Sequence, residues 1–253
     1  MNNIKAIFIK QLVNQIKVPA IIIYGFMFLA IAVVFAVFLS EDEEEDCYSC
    51  VPAYVCGPCE EEAYERFELP IPSGIGLFAV MFIGLGLLSS VSAIIMEEKT
   101  TKNLQFMKMA DVKPYQYLLG SVPSIIIIVT GVFAFYAFFH ALFYGSFGIE
   151  MLWFMALGIT GGLVSILFGL VIGLSKFPLL ATPICIVLGL GPTMAPHNEA
   201  LARVLSVTFV QQVNLGIAEL DSDLTSNFMI IAANGLVALI LFGIMHRKNK
   251  FNV

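Results

Sequence analysis

The sequence predicts an all-α integral membrane protein with six transmembrane helices, and three observations carry that prediction. Hydrophobic residues fill 59% of the 253 positions and charged residues only 13%, with a mean hydropathy of +0.90; soluble domains carry about 25% charged residues. Six apolar runs, Ala20–Leu39, Ser73–Met96, Tyr117–Tyr144, Met151–Leu174, Pro178–Ala195 and Asn227–Met245, come close to the ~20 residues that cross a hydrocarbon core. None shows the alternation of a barrel strand, and lipid offers an open backbone no partners, so each is a helix. Finally, with the N-terminus in the cytoplasm, eleven of the 13 Lys and Arg fall on the inner side and only Arg66 and Arg203 on the outer. The basic stretches at both ends then lie on one side, which requires an even number of spans.

The chain opens on a basic amphipathic segment, residues 1–19. Ile4, Phe8, Leu12 and Ile16 recur every four positions with Ile9 and Val13 beside them, while Lys5, Lys10, Gln11, Asn14 and Lys17 fill much of the rest. That pattern suits a helix lying in the inner membrane interface. Pro19 marks the bend into the first span. The long basic lead and the absence of a small-x-small site after Leu39 predict that this span is retained rather than cleaved.

Residues 40–72 form an outer loop of unusual composition. Eleven acids and one Arg give it a charge of about −10. Within it Cys47, Cys50, Cys56 and Cys59 make two CxxC pairs. Three chemistries suit that spacing: two disulfides in an oxidising compartment, a tetrathiolate zinc or soft-metal site, and a redox-active dithiol. Whichever holds, the acidic loop draws cations toward the outer face, which motivates a cationic or amphipathic cargo such as a peptide or drug.

Between the second and third spans, residues 97–113 supply seven charges if Lys113 is included, on the cytoplasmic side. Leu104, Met107 and Lys108 share one helical face, and Phe106 and Met109 lie on the next. Apolar side chains set among alternating charges suit either docking to a cytoplasmic partner or contact with headgroups. Pro114 ends the segment.

In the fourth span Gly158, Gly162, Gly169 and Gly173 form two GxxxG pairs on one face, a surface that lets helices approach closely. The fifth span carries Pro178, Pro183 and Pro192, so a broken or re-entrant course is expected there. Residues 196–225 follow. Asn198 can cap a helix beginning near Glu199, and Leu201, Leu205, Phe209, Val213 and Ile217 recur every four residues, which predicts an amphipathic helix on or dipping into the outer leaflet. Glu199, Arg203, Gln211, Gln212 and Asn214 would be costly as part of a seventh span. The remaining intramembrane polar groups are few. His140 and Asn234 are expected to bond neighbouring helices, and Cys185 to act as a small apolar residue. No series of buried carboxylates suggests proton coupling, and no basic face suggests nucleic acid.

An amphipathic start, six spans, and a charged segment between spans two and three resemble the permease subunits of ABC-2 type transporters. Glu97-Glu98-Lys99 fits the acidic start of that family's coupling segment, Leu104 and Phe106 its apolar positions, and VKPYQYLLG, Val112–Gly120, the return into the membrane. Lys102-Asn103 stands where the family has Gly-Thr, and the acidic Cys-rich loop has no family counterpart. The resemblance implies one ABC-2 type transmembrane domain over residues 1–253, acting as an exporter in the cell membrane with both termini cytoplasmic. It implies two paired permease chains, identical or related, each held by one cytoplasmic ATPase subunit. Glu97, Glu98, Leu104, Phe106, Met107 and Met109 would then seat the coupling helix. The chain has no GxxxxGK[ST] loop, so no cofactor is expected in it; ATP and Mg2+ belong to the partner. The rival expectation, from the CxxC pairs, is a membrane thiol oxidoreductase or a metal-handling membrane protein.

Overall fold

The computed structural model describes residues 2–17, 19–40, 74–101, 112–145, 147–175, 181–194, 203–220 and 224–248. Among them every regular element is helical: α1 (Asn2–Lys17), α2 (Ala20–Ser40), α3 (Gly74–Thr100), α4 (Pro114–Tyr144), α5 (Ile149–Leu174), α6 (Ala181–Met194), α7 (Phe209–Ala218) and α8 (Thr225–Lys248). Five of these, α2 to α5 and α8, are long and apolar enough to cross a membrane. The expected fifth span is the exception. Its described part is α6, with 14 residues, about 21 Å at ~1.5 Å per residue.

Burial orders the bundle. In α3 and α5, 67% of the apolar window is buried, against 33% in α2 and 22% in α8, so α3 and α5 form the centre and α2 and α8 the flanks. The glycine stripe of α5 explains how its neighbours come so close. A Cβ on Gly158 would run into the Phe133 ring, and one on Gly162 would lie 3.0 Å from Val129, both on α4. At the other end of the helix, Gly169 faces Val91 at 2.8 Å and Gly173 faces Ile95 at 2.6 Å, both on α3. One bare face therefore serves two partners in succession.

Helix α3 is not uniform. Its middle, Phe82–Leu87, is a π-turn between the α-helical stretches Gly74–Met81 and Leu88–Thr100. A π-turn loosens the regular ladder, and in an apolar setting the freed carbonyls need donors. Hydroxyls supply them: Ser165 of α5 donates to the Ile83 carbonyl at 2.7 Å, Ser90 donates to Gly86 at 2.7 Å, and Ser89 bonds the Leu85 carbonyl. At this turn α6 crosses. A Cβ on Gly84 would lie 2.7 Å from the Gly189 Cα, and one on Gly189 would lie 2.6 Å from the Leu85 Cβ. The two backbones touch.

The segment before the last span departs most from expectation. The helix Phe209–Ala218 begins later than Asn198 would place it and is capped by Thr208, whose hydroxyl accepts from the Gln211 amide. Residues 195–202, with Asn198 and Glu199, lie outside the described residues. Helix α7 packs against α3, α5, α6 and α8. Val213 meets Gly161 near the midpoint of α5, Phe209 stacks on Phe168 at 5.6 Å, and Asn234, halfway along α8, donates to the Val207 carbonyl at 2.9 Å. Its buried polar residues are only partly paired within the protein, with Gln211 Oε1 and Asn214 Oδ1 left without a hydrogen-bond partner. Asn227 donates to the Gln212 carbonyl at 3.0 Å, and Gln212 itself bonds the Ser206 carbonyl.

Candidate functional site

Among the described residues the one buried Asp, Glu, Lys or Arg side chain, Glu98, lies at the end of the bundle that carries α1. Helix α1 turns its Ile7, Gln11 and Gln15 inward and leaves Ile9, Val13 and Ile16 exposed. The apolar face read from the sequence is therefore the one available to lipid, and the inward ridge includes Gln11, which periodicity assigned to the polar side, together with Gln15. Ile7 fits over Gly120 of α4, where a Cβ would lie 2.6 Å from Ile7 Cγ2.

Three residues in a row at the end of α3 look in three directions. Glu97 is exposed. Glu98 is 5% exposed and points into the bundle. Its Oε1 accepts from Gln11 Nε2 at 2.8 Å and from Lys10 Nζ at 3.4 Å, and its Oε2 accepts from the Tyr117 hydroxyl at 2.7 Å. Lys99 reaches the opposite neighbour, donating to the Ser175 carbonyl at 2.9 Å and the Leu174 carbonyl at 3.5 Å. Those are end carbonyls of α5, where a cation is favoured by the helix dipole. A buried carboxylate is tolerable only when paired and hydrogen-bonded; Glu98 meets both conditions with donors from α1 and α4.

The connection that follows is fixed at both ends. Thr101 closes α3 by donating its hydroxyl to the Glu97 carbonyl at 2.8 Å. Lys113 opens α4, with its backbone N–H donating to Gln116 Oε1 at 3.0 Å and Pro114 at the first helical position. The Glu98–Tyr117 bond ties these two ends together.

Of the six residues expected to seat a partner, Glu97 and Glu98 belong to α3 itself, and Glu98 directs its carboxylate to the chain's own helices rather than outward. Leu104, Phe106, Met107 and Met109 lie outside the described residues, as do Cys47, Cys50, Cys56 and Cys59. Gly158, Gly162, Gly169 and Gly173 are buried in the α5 contacts given above. His140 is buried, its ring 4.8 Å from that of Phe154 and 5.1 Å from that of Tyr144. Cys185 is a buried free thiol on α6.

Gln11, Lys10, Lys99 and Tyr117 were not singled out as a set by sequence reasoning. The signal for them was weak: a glutamine amid the apolar positions of α1 and a tyrosine one turn into α4. No family model matches the chain, and no curated protein or solved structure matches it either.

Proposed function

We propose that the chain is the membrane permease subunit of an ATP-driven exporter of the ABC-2 type, moving an amphipathic or cationic substrate outward across the cell membrane. In this reading both termini are cytoplasmic and two permease chains pair. A separate ATPase subunit on each binds ATP and Mg2+ and presses on the connection between α3 and α4. The observation that supports it best is the junction at Glu98 and Lys99. Adjacent residues on α3 grip α1 and α4 on one side and α5 on the other. A push on residues 102–111 would reach four helices at once through three short polar contacts, which is what a chain without its own nucleotide site needs.

The test is recovery of a partner. Affinity purification of the tagged full-length chain from its native membranes is expected to bring down a Walker-type ATPase, and Phe106→Asp or Leu104→Asp to release it. A chain that purifies without any nucleotide-hydrolysing subunit, and whose transport is indifferent to ATP depletion, would refute the proposal.

A further inference from the structure

Two cavities flank a ridge that Ser89 and Ala93 form on α3. One, of about 480 Å³, lies between α3 and α6 and is mostly apolar, with Leu85, Met96, Cys185 and Ile186 in its wall. The other, of about 280 Å³, lies between α1, α2 and α3, and its wall includes Asn14, Gln15, Tyr24, Ser89, Ser90 and Glu97.

The smaller cavity is chemically one-sided. Among the described residues its lining contains a carboxylate, two amides and three hydroxyls but no Lys or Arg. The Ser89 and Ser90 protons are already given to the carbonyls of the π-turn, so their oxygens retain only acceptor capacity. Lys10 and Lys99, on neighbouring turns, are engaged by Glu98 and by the end of α5. Gln15 is 1% exposed, and its Oε1 has no hydrogen-bond partner. An amide oxygen buried without a donor carries the full desolvation penalty of that group, so Gln15 Oε1 would gain from a donor supplied by a ligand. An anion would meet the Glu97 carboxylate with no lining Lys or Arg to offset it, and an alcohol can donate to that carboxylate but brings it no charge.

We infer that this cavity takes the ammonium head of an amphipathic amine, with the hydrocarbon tail passing over Ala93 toward the apolar cavity between α3 and α6. An ammonium offers three donors and one positive charge, which match Gln15 Oε1, the serine oxygens and the Glu97 carboxylate. The head could belong to a free alkylamine or to a lipid with a primary amine headgroup; the recognition chemistry is the same. The inference deepens the transport reading by naming a substrate class, and rests on it only for the direction of travel.

The experiment is a titration of the purified full-length chain in phosphatidylcholine nanodiscs with dodecylamine, with dodecanol as the uncharged control and empty discs as the blank. Saturable binding of the amine beyond partition into empty discs is expected, with none for the alcohol. Glu97→Gln and Gln15→Leu should each weaken amine binding about tenfold, the scale of one charge-assisted hydrogen bond. Glu97 is exposed, so its variant tests the site even if Gln15→Leu fails to fold. Amine uptake no greater than in empty discs, or unchanged by Glu97→Gln, overturns the assignment. Repeating the titration with phosphatidylethanolamine in the discs separates the sources: weaker apparent amine binding identifies the lipid head as an occupant, and unchanged binding identifies the free amine. Absence of an ATPase partner would sink the transport reading and leave this titration as it is.

Discussion

Gln11 donates to Glu98 Oε1 at 2.8 Å across 87 positions of sequence, and Tyr117 holds the other oxygen of the same carboxylate at 2.7 Å. Both donors are buried, so the carboxylate is the piece that makes their burial affordable. Glu98→Ala is expected to destabilise the chain by ~1–3 kcal/mol for each donor left unpaired. Glu98→Gln keeps an acceptor oxygen and should lose less. Lys10→Ala should cost no more than ~1 kcal/mol, because the lysine side chain is 46% exposed. Thermal unfolding of the three variants in one detergent checks the order, and equal melting temperatures for Glu98→Ala and wild type would show that the contact holds nothing.

The Lys99 contact makes a separable prediction. Its ammonium sits on the last carbonyls of α5, an interaction worth ~0.3–1 kcal/mol at an exposed helix end and up to ~2 when partly buried. Lys99→Met should lower stability by that amount and Lys99→Arg should restore most of it. In the proposed complex, Lys99→Met should also reduce substrate-stimulated ATP hydrolysis while the ATPase still co-purifies, since the partner's seat is untouched and only transmission to α5 is lost.

Glycine positions that look alike in sequence should behave differently. Gly84→Ala sets a methyl 2.7 Å from the Gly189 Cα, where only backbone can yield; a loss at the upper end of the ~1–3 kcal/mol range for overpacking is expected. Gly162→Ala meets a Val129 methyl at 3.0 Å and should cost less, because a side chain can shift. Gly131→Ala has nothing within 4 Å and should be neutral or slightly stabilising. Folded yield and melting temperature for the three, measured side by side, check the ranking.

Asn234 ties α8 to the segment leading into α7 through the Val207 carbonyl. Asn234→Leu should cost ~0.6–1.7 kcal/mol, the range found for polar contacts between membrane helices, and should loosen residues 203–208 selectively. A cysteine placed at Val207 should then react faster with a small thiol reagent than it does beside the native asparagine. An unchanged rate would mean that the segment is held by packing alone.

The five long apolar helices were legible because length and hydropathy determine them directly; α5 begins two residues before Met151 and ends at the expected Leu174. The end of α3 was harder. A run of Glu-Glu-Lys reads as a solvated terminus, and nothing local marks the middle residue as buried, since its partners lie on α1 and α4. The π-turn is equally silent: Phe82–Leu87 spells FIGLGL, an ordinary span sequence, and its extra turn is sustained by Ser165 on another helix. Gln211, Gln212 and Asn214 argued against a seventh span, and α7, with 10 residues, is not one of the span-length helices; that all three would be buried among protein neighbours was not legible. The cost of a polar side chain depends on what surrounds it, and a single sequence does not carry that information. Leu104, Phe106, Met107, Met109 and the four loop cysteines fall outside the described residues.

The crossing of α3 and α6 at Gly84 and Gly189 has a mechanical corollary. Where two rods touch without side chains, one can swivel on the other with no knobs to climb over, while a few residues away in either direction bulky groups resist sliding. Tilting of α6 would thus turn about that single pivot. Spin labels on the two helices above it should draw together as a pair below it spreads apart.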